Sequence, residues 1–148
     1  MTSTTKPTHV AKASQVLVPG AGRGEVISSQ QMLSFWGGLD PSTGTVIDHR
    51  HSLRGQSVAG KILVLPKGKG SSTGSAVLVD ALFLGNGPAA IIMREADEII
   101  SLGVVVFEEF YQQTIPVIVL DTNDFECALS GQFAEIDMEG TVRLYDGL

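Results

Sequence analysis

Lys61-Ile-Leu-Val-Leu-Pro66, followed by Lys67-Gly-Lys-Gly-Ser-Ser-Thr-Gly-Ser75, is the stretch on which the fold turns. It reads as a buried strand over Ile62 to Leu65, a glycine-rich turn, and the hydroxyl-rich start of an apolar helix over Ser72 to Leu84. Such a junction gathers free backbone N–H groups and hydroxyls at the positive end of a helix, where a carboxylate, a phosphate or a charged serine is stabilised. It is not a nucleotide P-loop, because no Gly-x4-Gly-Lys-Ser/Thr occurs in the chain. Gly68-x-Gly70-x-x-x-Gly74 also misses the dinucleotide spacing by one residue. Two readings stand open: a plain N-cap made by Ser71 or Ser72, or a binding site. One cap needs one hydroxyl, and Ser71, Ser72, Thr73 and Ser75 are all available, which favours a site.

Outward from this turn, Ala13 to Val18 and Gly24 to Ser28 read as strands, and Phe35 to Gly60 as a long glycine-rich stretch of the kind that is usually functional. The helix after the turn stops at Gly85-Asn-Gly-Pro88. Ala89 to Met93 is a second buried strand, Glu95 to Leu102 a short helix ended by Gly103, and Val104 to Phe107 a β-branched strand whose Glu108-Glu-Phe-Tyr111 continuation can also be helical. Val117 to Leu120 has the pattern of a parallel strand, and Asp124 to Leu129 that of a short helix. Phe133 to Asp137 and Thr141 to Tyr145 alternate around Met138-Glu-Gly140 and form a closing hairpin. The expectation is a mixed α/β domain, a small β-barrel or sandwich flanked by short helices, over residues 11–148 behind a flexible N-terminal tail at 1–10.

The chain has 148 residues, 43% of them hydrophobic and 18% charged, enough for one domain with a core. A net charge of −6 without a basic stripe speaks against a nucleic-acid or membrane-surface binder. Cys127 is the only cysteine, so there is no internal disulfide, and one thiol cannot hold an iron–sulfur cluster. No stretch approaches the roughly 20 apolar residues of a membrane span. The N-terminus lacks a hydrophobic signal core, so a cytoplasmic protein is expected.

Three further segments invite chemistry. In Phe35-Trp-Gly-Gly-Leu-Asp-Pro-Ser-Thr-Gly44, adjacent glycines allow close backbone approach to a ligand or partner, although Asp40-Pro-Ser-Thr-Gly44 also has ordinary turn chemistry and Trp36 can be a core residue. Asp48-His-Arg-His51 suggests a metal, but a catalytic zinc usually takes three protein ligands and His9 is a poor third, so polar surface is expected. Glu108-Glu109 and the Glu95, Asp97, Glu98 group read as solvated helix faces, and Cys127 as a small buried hydrophobe.

In order and spacing, Phe35-Trp-Gly-Gly-Leu-Asp-Pro41, Thr43-Gly44, Ile47-Asp48, His51-Ser-Leu-x-Gly55, Gly60 to Pro66 and Gly68 to Ser75 resemble the swivelling domain of aconitase X; Gly87-Pro-Ala-Ala-Ile-Ile92 and Ile115-Pro-Val117 continue the likeness. The resemblance implies the aconitase-type swivelling fold and a hydro-lyase that removes water from a small hydroxy-acid, formed with a large catalytic subunit. It implies that Ser71, the first serine after the Gly-x-Gly turn, is the base that takes the proton next to a carboxylate. Ser72, Thr73, Gly74 and Ser75 are then candidates to bind that carboxylate, with Gly37, Gly38 and Asp40 facing the substrate from the loop. The large subunit is implied to hold the iron–sulfur cluster, which agrees with the lone Cys127. A serine is a poor base until activated, and helix-start N–H groups in a dry pocket can stabilise the charge.

No arginine follows the serines directly, which departs from ordinary aconitase-like members and disfavours a tricarboxylate. Gly70-Ser-Ser-Thr-Gly-Ser-Ala76, with Trp36 and Val104 to Phe107, is more similar to the bacterial type that dehydrates cis-3-hydroxy-L-proline. The archaeal type reads Gly-Ser-Thr-Val-Gly-Ser-Tyr and acts on mevalonate 5-phosphate, the alternative substrate. A reading of another class stays open, a non-catalytic module that uses the same turn to hold a ligand or dock a partner.

Overall fold

Ile62–Leu65 forms a strand, β6, in which every residue is buried. Ile62 and Val64 enter one hydrophobic core and Leu63 and Leu65 another, so the all-apolar run follows from burial on both faces. The neighbouring parallel strand β7 (Ala90–Met93) divides in the same way, Ala90 and Ile92 against Ile91 and Met93. The structure is a computed structural model that describes residues 6–68 and 72–146; the side chains of Ser72 and Thr73 lie outside that description.

The remaining strands are β1 (His9–Lys12), β2 (Gln15–Val18), β3 (Gly22–Ser28), β4 (Leu39–Asp40), β5 (Thr45–Val46), β8 (Val117–Val119), β9 (Phe133–Ile136) and β10 (Thr141–Tyr145). Eight of them make one sheet in the order β1-β10-β9-β3-β6-β7-β8-β2, and β4 and β5 make a separate pair. β3 joins its two halves: Gly22 to Glu25 pair antiparallel with β9, and Val26 to Ser28 pair parallel with β6. The first and last strands of the order are separated in the chain by Ala13 and Ser14 alone. Ala13 donates to Gly140 O and Ser14 to Val119 O, each at 2.8 Å. The sheet therefore curls into a half-barrel whose two edges meet at this corner. The expected mixed α/β barrel with short helices is what forms.

Helices α1 (Ser72–Phe83) and α2 (Glu98–Tyr111) cover one face, while α3 (Thr122–Cys127) sends Phe125 into the core on the other. Three expectations need correction. The strand expected over Ala13 to Val18 begins only at Gln15, because Ala13 and Ser14 form a corner, and His9 and Val10, expected in the tail, belong to β1, where they pair with β10. The short helix and following strand expected over Glu95 to Phe107 are one helix, α2. It starts at the N-cap Asp97, whose Oδ1 accepts from Ile99 N at 2.9 Å and Ile100 N at 3.2 Å.

Gly103 does not end that helix; it lets α2 approach α1. A Cβ there would stand 3.1 Å from Ser75 O and 3.2 Å from Ser75 Cβ. With Ile100, Val104 and Phe107 buried beside it, helical periodicity outweighs the strand preference of Val104-Val-Val106. Gly103→Leu therefore overpacks the contact and lowers stability by about 1–3 kcal/mol, read as a lower urea midpoint at unchanged slope.

Candidate active site

The carboxyl ends of β3, β6 and β7 lie side by side, and three connections leave from them: Ser29 to Leu33, Pro66 into the glycine turn, and Arg94 to Asp97. Ligands of open α/β sheets collect at such an edge. Leu33 makes a parallel bridge with Gly68, tying the first connection to the second. A Cβ on Gly68 would collide with the Asp97 carboxylate and come 2.7 Å from Ile100 Cδ1, so a side chain there would have to displace the α2 cap. Gly74, one turn into α1, is buried where a Cβ would lie 3.8 Å from Trp36 N. The start of α1 and the Phe35-Trp36 segment, far apart in sequence, are thus adjacent.

A cavity of about 450 Å³ opens at this edge, lined by Gln30, Gln31, Met32, Lys67, Arg94 and Glu95. A second, of about 520 Å³, runs from Gln31 and Met32 past Gly37 to Ile47–His51. Their shared wall is held by a polar network. Ser29 Oγ lies 2.6 Å from Ser52 Oγ and accepts from Gln31 N at 3.0 Å. The Gln31 side chain accepts from Ser52 N at 2.7 Å and donates to Arg50 O at 3.3 Å. His51, expected at the surface, is 6% exposed: its Nδ1 accepts from Leu53 N at 3.1 Å, which leaves Nε2–H to donate to Gln31 O at 3.3 Å. Both ring nitrogens are spent on backbone groups. No cluster of three or more potential metal-ligating side chains occurs among the described residues.

The candidate residues separate into groups. Ser71 lies outside the described residues, as do the side chains of Ser72 and Thr73, which open α1. Gly74 faces Phe35 and Trp36, and Ser75 backs onto Gly103 of α2. Gly37 (φ 76°) stands at the rim of the second cavity, while Gly38 is buried and its N–H donates to Phe35 O at 3.3 Å. Trp36 is not a core residue; it is 62% exposed.

Asp40 is not brought to this edge. Its Oδ1 accepts from Ser42 Oγ at 2.6 Å and Ser42 N at 2.9 Å, and Asn86, just past the end of α1, donates to Pro41 O and Ser42 O at 3.2 and 2.9 Å. A helix of 12 residues is about 18 Å long, so this turn sits at the opposite end of α1 from the glycine turn. Arg94 and Gln31 escaped the sequence reading. The signal for Arg94 was its position directly after the apolar run of β7. Its guanidinium lies 5.7 Å from the Phe125 ring centroid, while Lys67 pairs with Glu95 at 3.8 Å in an exposed contact worth about 0–1 kcal/mol.

The chain's residues do not fit an iron–sulfur cluster. Cys127 sits on α3, packed against the core on the far side of the sheet from α1, and its Sγ donates to Asn123 O at 3.3 Å. No helix among the described residues is long and apolar enough to cross a membrane.

Residues 12–144 match the family model of the aconitase X swivel domain, and the chain belongs to that family. Among its relatives is the cis-3-hydroxy-L-proline dehydratase of Hypocrea jecorina, 44% identical over 133 residues that make up 88% of this chain and 22% of that protein. The chain thus spans about a fifth of the length of that enzyme. The phosphomevalonate dehydratase small subunit of Thermococcus gammatolerans is 42% identical over 132 residues, 88% of this chain and 95% of that one. The crystal structure of Thermococcus kodakaraensis aconitase X in its holo-form superposes with a TM-score of 0.82 at 38% identity, covering 93% of this chain and 99% of that chain.

The Ser42 hydroxyl and N–H hold the Asp40 carboxyl below its ordinary value of 3.8. A group lowered in the folded state stabilises above its unfolded pKa and stops doing so as pH falls through the folded one. The melting-temperature advantage of wild type over Asp40→Asn is therefore full at pH 6 and shrinks below pH of about 4, as thermal melts across that range will show.

Proposed function

We propose that the chain is the small subunit of an aconitase X-type hydro-lyase that dehydrates a small hydroxy-acid, with cis-3-hydroxy-L-proline as the substrate. The observation that carries this is the order of elements around the glycine-rich segment: the buried parallel strand β6 ends at Leu65 and α1 begins at Ser72, in a chain of the aconitase X swivel-domain family. Ser71, as its alkoxide, takes the proton from the carbon next to the substrate carboxylate onto its Oγ; the freed electron pair forms the double bond to the adjacent carbon, whose hydroxyl leaves with its bonding pair as hydroxide. The N–H groups at the start of α1 stabilise the carboxylate as negative charge moves onto it, and Lys67 and Arg94 add positive potential from the neighbouring strand ends. The Phe35-Trp36 segment packs beside Gly74 at the start of α1, so that Gly37 can border the substrate from the other side.

The iron–sulfur cluster belongs, in this reading, to the large subunit, since one cysteine on the far face of the sheet cannot ligate it. A lone cysteine also fits a reducing, cytoplasmic setting. Support for hydroxyproline comes from the Hypocrea jecorina relative and from the Ser71-Ser-Thr-Gly-Ser-Ala76 turn. One observation favours mevalonate 5-phosphate instead: the Thermococcus gammatolerans small subunit is matched over nearly its whole length.

Reconstitution with an aconitase X large subunit tests both substrates. The chain alone is expected to be inactive and the pair to turn over cis-3-hydroxy-L-proline. Turnover of mevalonate 5-phosphate alone would move the assignment to that substrate. An inactive pair in which the chain still binds either acid would make it a binding module.

A further inference from the structure

α2 carries apolar residues in two directions. Ile100, Val104 and Phe107 are buried in the core, and Gly103 lies against α1. A second row, Ile99, Leu102, Val106 and Phe110, follows the three- and four-residue spacing of one helix face turned toward α1. Leu102, Val106 and Phe110 are 53%, 37% and 72% exposed. Opposite them Ala76 and Val79 of α1 form the other wall of a groove of about 270 Å³, with Ser75 and Gly103 along it. At the carboxyl ends of the two helices Phe83, 59% exposed, meets Tyr111 in a tilted ring contact, centroids 4.8 Å apart. At its upper end Ile99 borders the cleft that also holds Met32 and Gly68, at the edge of the candidate active site.

Scattered exposed apolar side chains are ordinary, but a continuous row is not. Leu102, Val106 and Phe110 make such a row along α2, one wall of the groove. Its rim is acidic: α1 and α2 contain Asp80, Glu98, Glu108 and Glu109 and no Lys or Arg. A second copy of this chain would set acid against acid, whereas a partner with basic residues beside an apolar ridge is complementary. The strip also begins at a candidate site that this chain does not complete by itself.

We infer that the α1/α2 groove is the seat of the large subunit, and that it receives an apolar ridge flanked by Lys and Arg. The inference rests on the two-subunit reading above and adds to it the surface that holds the pair together. The large subunit then covers the glycine turn at one end of α1 and is anchored along α2, away from the chemistry.

Val106→Glu and Phe110→Glu test it in the full chain, with Met138→Glu, 60% exposed in the β9–β10 turn, as a control outside the groove. Titration against the large subunit is expected to show each groove variant binding at least about tenfold more weakly, with the control unchanged and circular dichroism and melting as in wild type. Excess large subunit should restore turnover, since no candidate active-site residue is altered. Unchanged affinity in both variants, with an active wild-type pair, overturns the groove assignment and leaves the two-subunit reading intact. A wild-type chain that sediments as a dimer split by Phe110→Glu assigns the groove to a second copy and overturns the proposal. Failure of the wild-type chain to bind the large subunit at all overturns both.

Discussion

Burial of β6 on both faces is the constraint from which the rest of the architecture follows. A strand whose four side chains are all excluded from water needs a layer on each side. Leu63 and Leu65 are covered by α1, α2 and the loop around Phe35, Leu39 and Leu53; Ile62 and Val64 are covered by β9, β10, β1 and α3. Closing the second layer requires the sheet to curl, and the Ala13–Ser14 corner joins its edges. The chain leaves β6 at the edge between those layers, and Pro66 to Gly68 run from there toward the start of α1. The position of the candidate site is thus a consequence of how the core is enclosed.

Close backbone approach does the rest. Gly68 passes the Asp97 cap, Gly74 meets the Phe35-Trp36 backbone and Gly103 meets Ser75. Opposite them, hydrogen bonds among Ser29, Gln31, His51 and Ser52 hold the wall, with Ser29 and His51 as its buried polar members. The outcome is a rigid polar wall around an edge open to solvent, a shape suited to being closed by a second polypeptide.

The sequence made the parallel strands legible because unbroken apolar runs have few alternatives, and the closing hairpin because its alternation is strict. It made α2 illegible because Gly103 and three consecutive valines carry a local signal for a break and a strand. The deciding contact, Ser75 on a separate helix, has no local trace. His51 was misjudged for a similar reason: His-x-His spacing on an extended strand would expose both rings, but the segment folds as a turn that buries the second. Asp40 shows the converse: the turn chemistry legible around it is what the structure forms, with Ser42 donating to its carboxylate. The glycine turn itself was read from its own residues only as far as an anion-receptive helix start. Its assignment to Ser71 as a base came from the family pattern, and the structure adds the strand edge, the cavity and the basic side chains of Lys67 and Arg94 beside it.

The central claim is that the turn after β6 supplies the base for one half of a shared active site. The most direct measurement is steady-state turnover of the reconstituted pair carrying Ser71→Ala, with subunit association and substrate binding measured on the same preparation. Loss of about 10²- to 10⁴-fold in kcat, with assembly and affinity preserved, is the result expected for removal of a general base. Turnover near wild type in an assembled, substrate-binding pair would contradict it.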